Sequence, residues 1–257
     1  MGENNKDFLV RPAVILGISI IIGVFLWSSY FYKTRSIENA ITVTGSSERM
    51  ISSDTARWSS NFSRSVGAGG LNAGSADMKK DLEAVISYFK SQGVLDSEIT
   101  VQPVFVSSTC EETNNYMYDK FGGRLCSADR ISGYSFQQSV VVQSTDVAKI
   151  TKLAQDSVNY LTNRGIVFSS QNLDYFYSKL SDLKIEMLAE ATVNARERAK
   201  NIAESSGGKL GVLKSASQGV FQITQPNSIE VSDYGMYDTS TIEKKITAVA
   251  RVSFLVK

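Results

Sequence analysis

Residues Ala13 to Tyr32 read AVILGISIIIGVFLWSSYFY, 20 residues without a charge. As a helix rising about 1.5 Å per residue, such a run reaches about 30 Å, the thickness of a bilayer's hydrocarbon core. Arg11 precedes it and Lys33 follows it, where both side chains can snorkel to headgroups. Trp27, Tyr30 and Tyr32 gather near one end, as in an interfacial aromatic belt. A cleaved signal peptide is the competing reading, but it calls for a shorter apolar core and a small-x-small cleavage site. Ser28-Ser29-Tyr30 is the nearest small cluster, and no Ala-x-Ala occurs there. The expected layout is a cytoplasmic tail (1–12), a transmembrane anchor (13–32), a tether (33–39) and one soluble domain (40–257). Positive charge does not orient the span, since Lys6 and Arg11 before it balance Lys33 and Arg35 after it.

The rest of the chain has few chemical options. It contains no histidine, which removes Ser-His-Asp and Cys-His catalysis and every imidazole-ligated zinc site. Lys plus Arg is 27 and Asp plus Glu is 26, a net charge of +1; nucleic-acid binding normally needs a basic surplus, so no nucleic-acid partner is expected. Three prolines and 42% hydrophobic residues fit a folded domain rather than a disordered one. No metal site and no cofactor are expected.

Cys110 and Cys126 are the only cysteines. The segment between them is polar, with Asn-Asn and Gly-Gly turn signals, and strand-like stretches flank it. Two free thiols in a reducing compartment are one reading. An even count behind a membrane signal favours the other, a Cys110–Cys126 disulfide, which places the domain on the oxidising side. The expected location is a bacterial inner membrane, single-pass, with the soluble domain in the periplasm.

Periodicity supplies the elements. Ile41–Met50 begins as a strand. Across Asp54–Val66, Ala56, Trp58, Phe62 and Val66 share one face. Gly67–Gly74 reads as a turn. A helix over 75–92 carries Met78, Leu82, Val85, Ile86 and Phe89 and stops at Gly93. Ile99–Ser108 reads as one strand, at a sheet edge because Pro103 lacks an amide hydrogen. Gly133–Ser144 is a further strand, Asp146–Arg164 a second helix, and Asn172–Lys179 a strand with Tyr175, Phe176 and Tyr177. A third helix over 181–206 buries Met187, Leu188, Ala191, Ala195, Ala199 and Ile202. Lys209–Thr224 reads as strand, 225–241 as an exposed loop, and Lys245–Val256 as a final strand. The expected class is α+β: a largely antiparallel sheet covered by about three helices, preceded by one transmembrane helix.

Several stretches in order resemble the SIMPL-domain family. They are Val43-Thr44-Gly45-Ser46-Ser47-Glu48 with Asp54-Thr55-Ala56, then Gln92-Gly93-Val94 with Ser97-Glu98-Ile99-Thr100, then Gly133-Tyr134 through Val140 and Val142. The closest match is Ala189-Glu190-Ala191 through Asn194-Ala195-Arg196-Glu197-Arg198-Ala199-Lys200, followed by Gly208-Lys209-Leu210-Gly211. The last is Ile246 through Val252. Ser47 departs from the glycine usual in relatives, and the cysteine segment is not part of the pattern. The resemblance covers about residues 40–257. It implies an exported envelope protein without an established reaction, ring-like or channel-like oligomers in some relatives, and links to envelope or oxidative stress tolerance. The expectation is a non-enzymatic, self-associating or protein-binding domain; an envelope enzyme or small-ligand sensor is the alternative.

Three Ser-x-x-Lys strings, Ser87/Lys90, Ser181/Lys184 and Ser206/Lys209, have the spacing of penicillin-binding enzymes but lack the companion motifs. Gly67-Ala68-Gly69-Gly70 lacks the Gly-Lys-Ser/Thr ending of a phosphate loop. Glu111, Glu112 and Asp119 match no calcium-loop spacing. Tyr175–Tyr177 reads as core or subunit interface.

Overall fold

The computed structural model describes residues 6–34, 39–111, 117–118, 120, 124–125 and 130–257. A helix, α1 (Lys6–Thr34), covers the uncharged run. Residues 16–30 are exposed throughout, and that stretch is about 22 Å of helix. Among the described residues, no helix is long and apolar enough to cross a membrane.

The remaining elements are β1 (Ala40–Ser52), β2 (Thr55–Gly67), α2 (Leu71–Ser91), β3 (Ile99–Val101), β4 (Phe105–Cys110), β5 (Met117–Tyr118), β6 (Arg124–Leu125), β7 (Ile131–Ser144), α3 (Val147–Thr162), β8 (Val167–Phe176), α4 (Leu180–Ser205), β9 (Leu210–Gln218), β10 (Gln222–Thr224), β11 (Met236–Tyr237) and β12 (Glu243–Val256). The class is α+β, but with two five-stranded sheets rather than one, plus the small β5–β6 pair. The chain divides into two compact units: 46–193 with 218–250, and 1–45 with 194–217 and 251–257.

In the larger unit, one sheet runs β3–β7–β2–β8, with β4 also on β7. All its pairings are antiparallel. Strand β7 lies between β2 and β3, and β2 lies between β7 and β8, so α2 and α3 each bridge strands that skip a neighbour. This is the split β-α-β-β-α-β arrangement. Period-2 alternation places Ala56, Trp58, Ser60 and Phe62 of β2, and Phe136, Val140 and Val142 of β7, on the buried face. Helices α2 and α3 add Met78, Val85, Phe89, Ile150, Leu153 and Leu161 to that core. Trp58 meets Phe89 and Phe168 at centroid distances of 5.3 and 6.1 Å, and its Nε1 donates to Ser170 Oγ at 2.9 Å, so the buried indole keeps its hydrogen bond.

Asp146 caps α3 by accepting from the Lys149 amide at 3.0 Å. The three glycines that end α2, α3 and α4, Gly93, Gly165 and Gly207, all take positive φ.

The second sheet runs β1–β12–β10–β11, with β9 also on β12; β10 and β11 pair in parallel. Residues Ile246, Ala248, Ala250, Val252 and Phe254 of β12 are buried. On α4 the buried row is Leu183, Met187, Ala191, Ala195, Ala199 and Ala203. It repeats every four residues, an i±4n ridge of mostly small side chains that permits close approach.

Several boundaries differ from expectation. Helix α2 starts at Leu71, not Ser75, because Gly74 lies inside it, where an added Cβ would stand 2.5 Å from the Phe136 ring. The single strand expected over 99–108 is two strands, interrupted at 102–104 around Pro103. Strand β8 begins at Val167, five residues before its expected start. Ile202 is exposed, and Ala203 takes its place in the buried row. The expected loop 225–241 contains β11.

Candidate interaction surface

Strands β3 and β4 form one edge of their sheet: on the described residues they pair with β7 only. Pro103 explains the break between them. The chain leaves the ladder after Gln102, whose amide donates to the Ser139 carbonyl at 2.9 Å, and rejoins where Phe105 faces Gln137. Gln138 fills the gap from β7 by donating Nε2 to the Gln102 carbonyl at 2.8 Å. Its Oε1 is buried and has no partner among the described residues.

The edge from Val101 to Cys110, VQPVFVSSTC, carries no charge. Val101, Val104, Phe105 and Val106 are exposed, Phe105 at 65%. Natural edge strands usually carry charges that block pairing with another chain. Among the described residues, the single proline is what protects this edge.

The other sequence candidates fall elsewhere. Tyr175 is buried, and its hydroxyl lies 3.0 Å from Thr151 Oγ1; its amide donates to the Thr239 carbonyl at 2.8 Å. Tyr175 is therefore core, and Phe176 and Tyr177 are half-buried rather than an open apolar patch. Cys110 ends β4 opposite Ile131. Cys126, its expected partner, lies outside the described residues, as do Glu112 and Asp119. Glu111 is exposed, and its amide donates to the Arg130 carbonyl at 3.0 Å. Gly67 and Gly70 close the turn before α2 through a 2.8 Å backbone hydrogen bond.

Among the Ser-x-x-Lys strings, Lys90 pairs with Asp96 at 2.6 Å, Lys184 lies over the Phe221 ring at 5.3 Å, and Ser206 Oγ donates back to the Ile202 and Ala203 carbonyls. Helix α4 ends at Ser205, and Gly207 at positive φ turns the chain so that Ser206 and Lys209 do not share a helical face. Among the described residues, no group of three or more His, Cys, Asp or Glu is placed to hold a metal ion.

Two polar clusters escaped the sequence reading. In the first, Ser47 Oγ donates to Glu190 Oε2 at 2.5 Å, and Arg49 bridges Glu186 (2.9 Å) and Glu190. The Ser47 hydroxyl and the Arg49 guanidinium hold the Glu190 carboxyl below its usual range. Ser47 thus ties β1 to α4.

The second cluster lies between β11 and β12. Lys244 is 2% exposed, with its Nζ 3.3 Å from Asp238 Oδ2 and donating to the Thr241 carbonyl. Asp238 also accepts from the Ser240 amide (3.1 Å), the Ser240 hydroxyl (2.7 Å) and the Thr241 hydroxyl. Burial alone would raise the Asp238 carboxyl, but these donors and the lysine overcome it and hold it far below the usual carboxylate range. Burial pushes the Lys244 ammonium down, against the pull of Asp238. The alternation of β12 puts Lys244 on the buried face with Ile246 and Ala248, but a strand expected to start at Lys245 left it out.

The model of a family described as SIMPL, a protein of unknown function (DUF541), matches residues 41–254. No curated protein matches the chain.

Proposed function

Because the chain belongs to the SIMPL family, we propose that it is a non-enzymatic envelope protein, anchored in a bacterial inner membrane by residues 13–32, whose periplasmic domain pairs with a second copy along the β3–β4 edge. The observation that carries this reading is the uncharged edge with Val101, Val104, Phe105 and Val106 exposed. In a two-fold antiparallel strand pair, residue i of one copy faces residue j of the other and j faces i, so the strand meets its own sequence reversed. An uncharged strand meets no self-repulsion there, and its open amides and carbonyls gain partners. Tethering in a membrane raises the local concentration of copies and favours such a contact.

Anchoring is supported by the uncharged run and by α1, whose described residues 16–30 are exposed and predominantly apolar on every side. A helix apolar all round needs either a protein core or lipid about it. The periplasmic side is supported by the cysteine pair; among the described residues there is no free thiol. A role in envelope or oxidative stress tolerance would follow from location and family.

Light scattering on the full chain in neutral detergent tests the pairing. A dimer or larger assembly is expected, falling to the monomer mass in Phe105→Lys/Val106→Lys. A monomeric wild type, or an assembly the double variant leaves intact, would overturn it. A reporter active only in the cytoplasm, fused after Lys257, should stay silent.

The small-ligand sensor remains a second reading. A groove of about 440 Å³ between the first turns of α2 and Val104 is lined by Gln138, whose buried Oε1 wants a donor. A small molecule released from purified protein on denaturation would favour it.

A further inference from the structure

Three large apolar side chains stand almost fully in solvent within six residues: Ile229 at 95%, Val231 at 81% and Tyr234 at 98% exposed. They belong to the segment between β10 and β11. That segment is not loose. Lys245 Nζ donates to the Ser228 carbonyl at 3.1 Å, and the Gln222 side-chain amide brackets Ser232, donating to its carbonyl at 2.6 Å and accepting from its amide at 3.4 Å. Gln222 thus imitates a strand neighbour. With both ends pinned, the Ile229 and Val231 side chains are presented at little further ordering cost on binding. Exposed apolar area on a braced segment marks a contact surface.

Behind the segment runs an open groove of about 570 Å³, floored by β10 and β12. Glu48, Glu230 and Asp233 line it. Among the described residues lining it, Lys245 is the one cation, and it is engaged with Ser228.

Charge decides among occupants. An isologous contact with a second copy sets the carboxylates of one groove against those of its mate. Anionic lipid headgroups are repelled in the same way. We propose that this groove docks an extended segment of a different protein, one carrying Lys or Arg between apolar side chains. The cations meet Glu48, Glu230 and Asp233, and the apolar side chains cover Ile229 and Val231. This surface is separate from the β3–β4 edge and does not depend on pairing there.

The test uses the full chain in neutral detergent and a fluorescein-labelled peptide of alternating arginine and valine, followed by anisotropy. Saturable binding is expected. It should weaken at least tenfold in Ile229→Ser/Val231→Ser, and at least tenfold in Glu230→Lys/Asp233→Lys. Val167→Ser, at an exposed valine on β8, should leave it unchanged. All four loop positions are polar already or exposed apolar, so the variants leave the core untouched. Absence of saturable binding would overturn the proposal. So would binding that the first double variant retains, or equal binding of an arginine–serine peptide. A fall in the assembly's mass on Ile229→Ser/Val231→Ser would assign the groove to a second copy, and preferential binding of the chain's domain to anionic vesicles through Ile229 and Val231 would assign it to lipid; either result ends it.

Discussion

Arg64 and Asp81 hold β2 to α2 through a two-pronged ion pair, with Nε to Oδ2 at 2.7 Å and Nη2 to Oδ1 at 2.8 Å. The Asp81 side chain is 9% exposed and that of Arg64 32%. Donating to the Asp81 carboxylate raises the guanidinium's pKa above its ordinary value, against partial burial. Removing Asp81 leaves a partly buried cation with its fork unfilled. Asp81→Ala should cost about 2 kcal/mol, between the values for exposed and fully buried pairs. Urea unfolding should show the loss in the midpoint with an unchanged slope. Arg64→Met/Asp81→Leu should recover most of it, since an apolar pair leaves no orphaned charge.

Gly133 sits where β7 crosses the end of β2, facing Gly67 in register. A Cβ there would stand 2.3 Å from the Val66 carbonyl oxygen, and backbone cannot swing aside as a side chain can. Gly133→Ala should therefore lower stability by about 2 kcal/mol or more, although alanine suits a strand better than glycine does. Gly67→Ala, where a Cβ meets nothing within 4 Å, is the matched control. Equal melting temperatures for the two variants would contradict the steric argument.

What was legible in the sequence follows from how local each signal is. The alternation in β2 and β7, the stripes of α2 and α3 and the glycine stops are set within a few turns of chain, and the structure repeats them. Pairing between β1 and β12 joins residues about 200 positions apart, and no local pattern announces that it builds a second sheet. Gly74 read as a turn because glycine is a poor helix former; the Phe136 ring that needs the space lies on another element. For the candidate surface, Pro103 correctly pointed to an edge. The aromatic strand read as core or interface, and Tyr175 is core, covered by contacts from α3 and from Thr239. Ile229, Val231 and Tyr234 gave no signal, because exposure of an apolar residue in a loop is a property of tertiary structure alone.

Ala195 and Ala199 on α4 are fully buried. A larger side chain at a fully buried position must displace its neighbours. Ala195→Leu should cost about 1–3 kcal/mol by overpacking, whereas Arg196→Leu, one residue along on the exposed face, should stay within about 0.5 kcal/mol. Thermal unfolding by circular dichroism separates them; similar melting temperatures would mean that the helix row is not packed as described.

The Asp238–Lys244 pair makes stability depend on pH from both sides. Asp238 has a folded pKa far below its ordinary 3.8. Between those values the unfolded chain binds the proton and the folded chain does not, so stability falls as pH drops below about 4. Lys244 has a folded pKa below its ordinary 10.5. There too the unfolded state holds the proton more tightly, so this group's contribution rises with pH up to about 10.5. Asp238→Asn should flatten the acid limb and destabilise at neutral pH, because the buried ammonium loses its counter-ion. Lys244→Met should flatten the alkaline rise. Urea midpoints collected from pH 3 to pH 10 read both limbs, and an acid limb unchanged in Asp238→Asn would assign acid sensitivity to other carboxylates.

Cys110 ends the uncharged edge strand and is exposed. A bond from it to Cys126 would close a polar loop of about 15 residues, worth roughly 3 kcal/mol in the chain-entropy model. The chain leaves the sheet at the end of β4 and returns at β7, and Cys110 does not belong to the buried core. Cys110→Ser should therefore keep the fold and lower stability by no more than that amount. Reduction of the wild type should lower its melting temperature to that of the variant and leave the variant unaffected. Protein trapped with a thiol reagent in intact cells should show neither cysteine alkylated until it is reduced. Both thiols alkylated at once would remove the disulfide and, with it, the strongest chemical argument for the periplasmic side.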